Sequence, residues 1–462
     1  MATKIILYSM NYTEGLLREL PYVKFYAERG FSHLSSLREA NTRIVLITPE
    51  PPEPYIIDWH LRDLFRLDDE QQRSARDRLI LLSPRCRKPL PLDTLVLEDP
   101  VLSSRLKEEA QRSEAVLVNF ASSAASDRLA QELDLALEEG PFDLSRRWGD
   151  KSSSKALFRS EDIPAPRGAP DVLTSMEEVE SAALALVTGN PPVERVIVKL
   201  NDARWGDGLG NVVIDGKKLR DSKQLFSSVE TMLQDWATIV EEVGVGGAIV
   251  EEYFPKRICS PSGQAHIDRA GDVHIVSTHE QYTVVDQYLG CEFPADGQFR
   301  PSIHTALMKI GKRLSESGVR GTFGIDFIGL EDGSLLATEI NVRKVGPSHV
   351  VAYAEAVVGN KVDPDGNLRV NGNPVYCSHR RVYQPKVLRG LSPEAAMKEL
   401  VDDGLLYDPQ AGKGAILHIL GALRSVGYVD STCFGGSRSE AADIRDKVYS
   451  SLARAATRTG NR

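Results

Sequence analysis

Short apolar runs separated by polar stretches dominate the first part of the chain. Lys4–Ser9, Arg43–Thr48, Arg78–Ser83, Thr94–Leu97 and Ala115–Phe120 each read as a strand, with helical or turn-rich segments between them. This alternation predicts a small, doubly wound α/β domain over residues 1–140. The segment Pro49-Glu50-Pro51-Pro52-Glu53-Pro54 fits neither a strand nor a helix interior and is expected to be a loop. No GxGxxG follows the first strand, so this domain carries no dinucleotide fingerprint. Asn11 and the segment Asn119–Ser123 follow strand ends, where open α/β sheets place ligands.

A boundary is expected near Pro141. Beyond it, Asp150 reads as the cap of a helix running to about Arg159, followed by the extended segment IPAPRGAP. The next apolar run, Val196-Ile197-Val198-Lys199-Leu200, carries a lysine inside a strand. A desolvated ammonium is costly unless an anion accompanies it, so Lys199 calls for either a carboxylate partner or a bound phosphate. Phosphate is the favoured reading because residues 201–211, NDARWGDGLGN, put Gly206, Gly208 and Gly210 in a loop whose backbone N–H groups can cradle an oxyanion. The plainer alternative is a flexible hairpin. A helix is expected from about Gln224 to Glu242. After it, Ala248–Pro255 reads as a strand ending in an extended segment that can present Glu251, Glu252, Tyr253 and Phe254 to a planar base. An ordinary buried strand with polar ends is the competing reading.

The pattern with the most chemical content lies at 318–349. Phe323–Leu330 and Leu335–Ile340 flank Glu331-Asp332-Gly333-Ser334, whose Asp-Gly pair is a strong hairpin signal. Asp326 sits between Ile325 and Phe327, and Glu339 and Asn341 are two apart and leave one face of their strand. An apolar strand has little reason to hold two acids unless they act together. Three oxygen groups converging on one point suit a hard cation such as Mg²⁺, usually held by one or two carboxylates plus substrate phosphates. Arg343, two further along, adds a fixed cation to the same face. The alternative is a hairpin with a solvated polar face.

Charge and composition narrow the partners. The chain has 462 residues and a net charge of -9, a length that suggests about three domains and an acidic balance that argues against nucleic-acid or membrane-surface binding. Small molecules or peptides are the expected partners. The five cysteines are widely spaced with no CxxC pair, so they suggest neither a zinc site nor a disulfide framework, and a reducing cytoplasm is the expected compartment. The N-terminus lacks the apolar core of a signal peptide, and no stretch approaches 18 apolar residues.

Lys151, Lys199, the 206–210 loop, the VEEYF run, Asp326 and Glu339-Ile340-Asn341-Val342-Arg343 occur in an order that resembles the ATP-grasp family over residues 140–350. More narrowly, Ser277–Gln281, Tyr288–Pro294 and Gly414–Gly421 resemble the peptide ligases of the pheganomycin-biosynthesis type. The resemblance implies an ATP-grasp fold of the α/β class: a pre-ATP-grasp domain (1–140), a two-lobed nucleotide-binding core (141–355) and a C-terminal α+β region (356–462) contributing to the substrate site. It implies that Lys151, Lys199 and the glycine loop hold phosphates, that Glu251–Phe254 hold adenine, and that Asp326, Glu339 and Asn341 hold Mg²⁺. The implied activity is an ATP-dependent carboxylate–amine ligation through an acyl phosphate. It would join a small amino acid, nonproteinogenic ones included, to a peptide or amino acid in antibiotic biosynthesis, with Arg343 and Lys199 as catalytic groups. A homodimer is carried as a further expectation.

Two departures qualify the resemblance. D-alanine ligases carry an arginine two residues before the first metal acid, whereas Gly324 stands here, which moves the anion-stabilising role to Arg343 and brings the E-x-N-x-R pattern closer to the biotin-dependent carboxylases. Position 258, where a ribose-binding acid is common, is isoleucine beside Lys256 and Arg257. A catalytically silent ATP-binding regulator on the same fold, or a carboxylase-like enzyme, is the alternative to a ligase; the full set of Asp326, Glu339, Asn341 and Arg343 favours catalysis. In the third region, Asn371–Leu388 mixes strand-like runs, a helix is expected from Ser392, Ala415–Cys433 reads as a hairpin, and Ser437-x-x-Glu440 opens a final helix to about Ala455. His379 and His418 are candidate ligands or acid–base groups, although a histidine on an apolar strand is more often a satisfied core residue.

Overall fold

The computed structural model describes residues 2–10, 12, 14–112, 114–169, 171–202, 208–284 and 287–460. Asn11 and Gly206, both singled out from the sequence, lie outside the described residues. The chain divides into two compact units. One comprises Met1–Phe142, Gly290–Pro294 and Gly346–Arg462, and the other Asp143–Leu289 and Ala295–Val345.

The first unit contains a parallel sheet in the order Leu79–Leu82, Thr42–Ile47, Ala2–Leu7, Ala115–Asn119, Ala136–Leu137. This is the doubly wound arrangement read from the alternating apolar runs, with one correction. Thr94–Leu97 is not a strand but part of the helix Leu92–Leu97, whose Leu92, Leu95 and Val96 are buried at helical spacing. So short an apolar run has no periodicity that separates a strand from a buried helix turn. The same unit carries an antiparallel group in which Asn373–Tyr383 pairs with residues 290–293 on one side and with Tyr428–Gly435 on the other, and the latter pairs with Gly414–His418. The expected hairpin at 415–433 therefore forms, with the short helix Gly421–Val426 between its strands. Ser392 caps the helix Pro393–Asp402 by accepting from the Ala395 N–H at 3.1 Å. Ser437 accepts from the Glu440 N–H at the start of the last helix, Arg438–Gly460.

The second unit is built on two antiparallel sheets. A four-stranded one runs Val229–Met232, Asn211–Asp215, Arg195–Leu200, Ala248–Glu252. Its apolar face packs on the helices Met176–Thr188 and Trp236–Gly246 through Val179, Ala183, Ile239 and Val243. The helix expected from Gln224 to Glu242 begins later, at Trp236. The β-branched run at 229–232 is drawn into the sheet by Asn211–Asp215, and Asp235 caps the true helix through the Thr238 N–H at 3.0 Å. The other sheet runs Leu335–Asn341, Gly321–Gly329, Pro261–Ile267, Val273–Val284, backed by the helix Arg300–Glu316. Phe323, Ile325, Ala337 and Ile340 fill the space between this sheet and that helix. The opposite faces carry Lys199 and Glu251 in the first of these sheets and Asp326, Glu339 and Asn341 in the second.

Candidate active site

Every described residue of the predicted site belongs to the second unit. Lys199 is the fifth residue of Arg195–Leu200 and is buried. Its strand pairs with Ala248–Glu252 so that Glu251 lies opposite Ile197. That register makes Lys199 the diagonal same-face neighbour of Glu251, and its Nζ pairs with Glu251 Oε1. The other carboxylate oxygen accepts from Lys155 Nζ at 2.6 Å, and Lys155 also donates to the Pro166 carbonyl at 2.9 Å. One buried carboxylate thus stands between two ammonium groups. Burial pushes the Glu251 carboxyl up, and the charges of Lys199 and Lys155 outweigh it and hold it below the ordinary range. Burial pulls Lys155 down against the attraction of Glu251. Of the two partners expected for Lys199, the structure supplies the carboxylate.

Lys151 opens the helix Lys151–Ser160. Asp150 occupies the cap position, but its side chain makes no capping bond. Asn201 does that work from the neighbouring strand end: its carbonyl accepts from Lys151 N–H at 3.0 Å and its Oδ1 from Ser152 N–H at 2.9 Å. Further along the helix, Ser154 accepts from the Ile340 N–H at 3.0 Å, pinning the helix to the strand that bears Glu339. Lys151 is only 2 % exposed, and its Nζ lies 3.4 Å from Glu339 Oε1.

The hairpin forms as the sequence implies, with strands Gly321–Gly329 and Leu335–Asn341. Asp326 lies directly opposite Glu339 and Gly324 opposite Asn341, so the two acids and the amide share one face. Asp326 is gripped from both sides, by Gln281 Nε2 on Oδ1 and by Asn341 Nδ2 on Oδ2 at 3.0 Å. Arg343 Nη2 donates to Asn341 Oδ1 at 2.9 Å and Nη1 to the Lys344 carbonyl at 3.2 Å. Burial, reinforced by the charge of Glu339, pushes the Asp326 carboxyl up to about 7. Two acids facing one another with too little compensating charge are what a hard dication would satisfy, and the donors are all oxygen. The residues therefore fit Mg²⁺. Gly324 has a steric reason: a Cβ there would lie 2.9 Å from Val345 Cγ1, so an arginine has no room at that position.

The remaining predicted residues sit at the edge of the four-stranded sheet. Glu252 pairs with Arg167 at 2.8 Å and Tyr253 N–H donates to the Arg195 carbonyl at 3.0 Å. Tyr253 and Phe254 are partly exposed beyond the strand end. Gly168 runs alongside Glu251, where a Cβ would come within 2.5 Å of the Val250 carbonyl, so the approach of these two segments needs glycine. Gly208 has φ +74 and its carbonyl accepts from Asn211 N–H, while that of Gly210 accepts from Leu200 N–H. Ile258 is 53 % exposed.

Three participants were not read from the sequence. Lys155 carried a usable signal, since it follows Lys151 by four and so shares its helix face. Asn201 and Gln281 gave none by themselves, because a polar residue at a strand end or on a half-exposed strand is ordinary.

Residues 395–448 match the family described as the PGM1 C-terminal domain. Over 453 residues the chain is 43% identical to the L-propargylglycine–L-glutamate ligase of Streptantibioticus cattleyicolor, covering 98% of this chain and 94% of that protein. Among solved structures, a biotin carboxylase–ATP analogue complex from Campylobacter jejuni is similar with a TM-score of 0.57 at 15% identity, over 95% of this chain and 88% of that one. The ADP complex of an N5-carboxyaminoimidazole ribonucleotide synthetase is similar with a TM-score of 0.53 at 14% identity, over 97% and 96% of the two chains. At such identities the structural matches speak for the fold.

Proposed function

The chain belongs to the ATP-grasp peptide ligases, and from that membership we propose that it activates the carboxylate of a small amino acid with ATP. The activated acid is passed to the amine of a second amino acid or a peptide, with ADP and phosphate as products. The observation that carries this reading is the split of charge within one unit. Around Glu251 two lysines face a single carboxylate, and around Asp326 two carboxylates face each other, with Lys151 beside Glu339. A nucleotide triphosphate with its divalent ion would set phosphate beside the lysines of the first cluster and a dication beside the paired acids of the second.

In this reading Lys199 and Lys151 hold phosphate oxygens, and the 208–210 loop offers backbone N–H groups beside them. The backbone of Glu251–Phe254 meets the adenine edge, because the Glu251 carboxylate is committed to its lysines. Asp326, Glu339 and Asn341 hold Mg²⁺, which supplies charge neutralisation at the transferred phosphoryl group. Arg343 offers a planar fork that suits both the phosphoryl group and the incoming carboxylate. The acid's oxygen attacks phosphorus and displaces ADP; the amine then attacks the acyl carbon and displaces phosphate, losing one proton.

The test is ADP and phosphate formation with ATP, Mg²⁺ and pairs drawn from a panel of small amino acids, L-glutamate and dipeptides, with products identified by mass spectrometry. Stoichiometric ADP, phosphate and an amide is the expected outcome. ATP binding without ADP formation across the panel would favour a silent binding protein.

A further inference from the structure

The first unit holds a cluster to which the proposed reaction assigns no role. Strands Asn373–Tyr383 and Tyr428–Gly435 pair with His379 opposite Thr432, and Gly414–His418 adds His418 opposite Asp430. Since Asp430 and Thr432 are two apart, these side chains share one face. The helix Gly346–Val358 lays His349 over it, with ring centroids 5.2 Å from His379 and 5.5 Å from His418. His379, His418 and Asp430 are 0% exposed and His349 is 3% exposed.

Such burial normally requires every polar atom to be matched, because an unpaired buried polar group is costly and a charged one more so. Here both Asp430 oxygens and His379 Nε2 lack a hydrogen-bond partner among the described residues. His349 Nε2 is 3.5 Å from Asp430 Oδ2 and His379 Nε2 is 3.8 Å from it, too far for hydrogen bonds but converging on one point. The other nitrogen of His379 is fixed by Thr432, whose hydroxyl lies 3.2 Å from Nδ1 and also 2.8 Å from His418 Nε2. One ring nitrogen held by the protein and the other left open is the arrangement that orients a histidine for metal ligation.

We infer that His349, His379 and Asp430 form a binding site for a divalent transition-metal ion of the zinc type. Their ligand atoms lie within 4.8 Å of one another, and bonds of about 2.0–2.2 Å in a tetrahedral shell need a separation near 3.4 Å, a small closing movement. Two imidazoles and a carboxylate select zinc-like ions over Mg²⁺ or Ca²⁺. Burial keeps both histidines neutral and therefore able to donate a lone pair. An ion is favoured over an organic ligand because the three converging side chains are all buried and their ligand atoms are this close together. The guanidinium groups of Arg29 and Arg381 also bear on His349. Three protein ligands leave a fourth position, and these two positive neighbours favour an anion there, hydroxide or a carboxylate.

The experiment takes full-length protein made without a metal-binding tag, strips it with chelator, and titrates it with Zn²⁺ and, for its visible spectrum, Co²⁺. The expected result is one ion retained per chain after desalting and a tetrahedral Co²⁺ absorption. Asp430→Asn and His379→Gln should lower retention at least tenfold, and Thr432→Val should weaken it by about 10- to 100-fold. Glu339→Gln should leave it unchanged. Stripped wild-type protein that shows no Co²⁺ band and retains no zinc would overturn the inference, whatever the variants do. Loss of the band in Glu339→Gln with retention in Asp430→Asn would overturn it equally, by placing the ion at the hairpin.

Discussion

The two sheets of the second unit solve opposite electrostatic problems. On the four-stranded sheet one carboxylate, Glu251, is shared by Lys155 and Lys199 and is held ionised. On the hairpin, Asp326 faces Glu339 and is pushed towards its neutral form. Both clusters are buried or nearly so, and burial alone would raise both acids. The neighbouring charge decides between them, which is why two carboxylates on antiparallel strands of one unit end with shifts of opposite sign. A site complementary to a polyanion and a dication would be built in this way, with lysines gathered on one part and acids paired on the other.

The largest expected break in that contrast comes from Arg343. It is the cation nearest the acidic pair's amide, bonded to Asn341 Oδ1. Arg343→Ala should bind ATP nearly as wild type does and form ADP about 10²- to 10³-fold more slowly, the usual loss for one preorganised charged donor. Arg343→Lys should recover little, since the planar fork is gone. Near wild-type turnover of Arg343→Ala at saturating ATP and substrates would leave the residue a structural role through its bond to Asn341. Next in size, Glu339→Gln should depress turnover far more than nucleotide affinity, with partial rescue by excess Mg²⁺. Equal activity of variant and wild type at low Mg²⁺ would remove Glu339 from the metal site.

On the basic side, Lys199→Ala should weaken ATP binding about tenfold or more, the value of a charge-assisted contact of roughly 1.5–3 kcal/mol. The double lysine gives this prediction a control. Lys155 remains to hold Glu251 ionised, so the fold should survive the loss of Lys199; removing the carboxylate instead, by Glu251→Gln, leaves two buried ammonium groups facing one another and should destabilise the protein more than Lys199→Ala does. Calorimetry with ATP and thermal melts of both variants separate the roles. Unchanged ATP affinity in a folded Lys199→Ala protein would confine Lys199 to its pairing with Glu251.

What the sequence made visible follows the same divide. The acids of the hairpin stand out because they interrupt apolar strands, and Lys199 stands out for the same reason. Lys155 is buried on a helix whose polar spacing looks like that of any amphipathic helix, so only its distance of four from Lys151 hints at it. Where hydrophobic pattern and local propensity compete, as at Leu92–Leu97 and Val229–Met232, tertiary pairing decides. The His349, His379 and Asp430 cluster is less legible still. Its members are widely separated in sequence and come from a helix and two strands, so no spacing rule joins them, and His379 read alone is an ordinary core histidine.

The smallest effect expected is on stability, and it isolates the acidic side without nucleotide. In the metal-free protein the folded-state pKa of Asp326 is raised from 3.8 to about 7 by burial and by Glu339. A group raised in this way contributes stability that is fully present below its unfolded pKa and is lost as pH rises through the folded one. The loss should therefore develop between about pH 4 and pH 7 and level off above it. Asp326→Asn cannot ionise, so its melting temperature relative to wild type should climb by a few degrees from pH 5 to pH 8, at roughly 2–4 °C per kcal/mol for a large domain. Mg²⁺ should erase the difference at pH 8 by stabilising the ionised wild-type pair while offering the amide little. A melting-temperature difference that stays flat across this pH range would mean that Asp326 is ionised throughout. The contrast between the two sheets would then rest on Glu251 and its lysines alone.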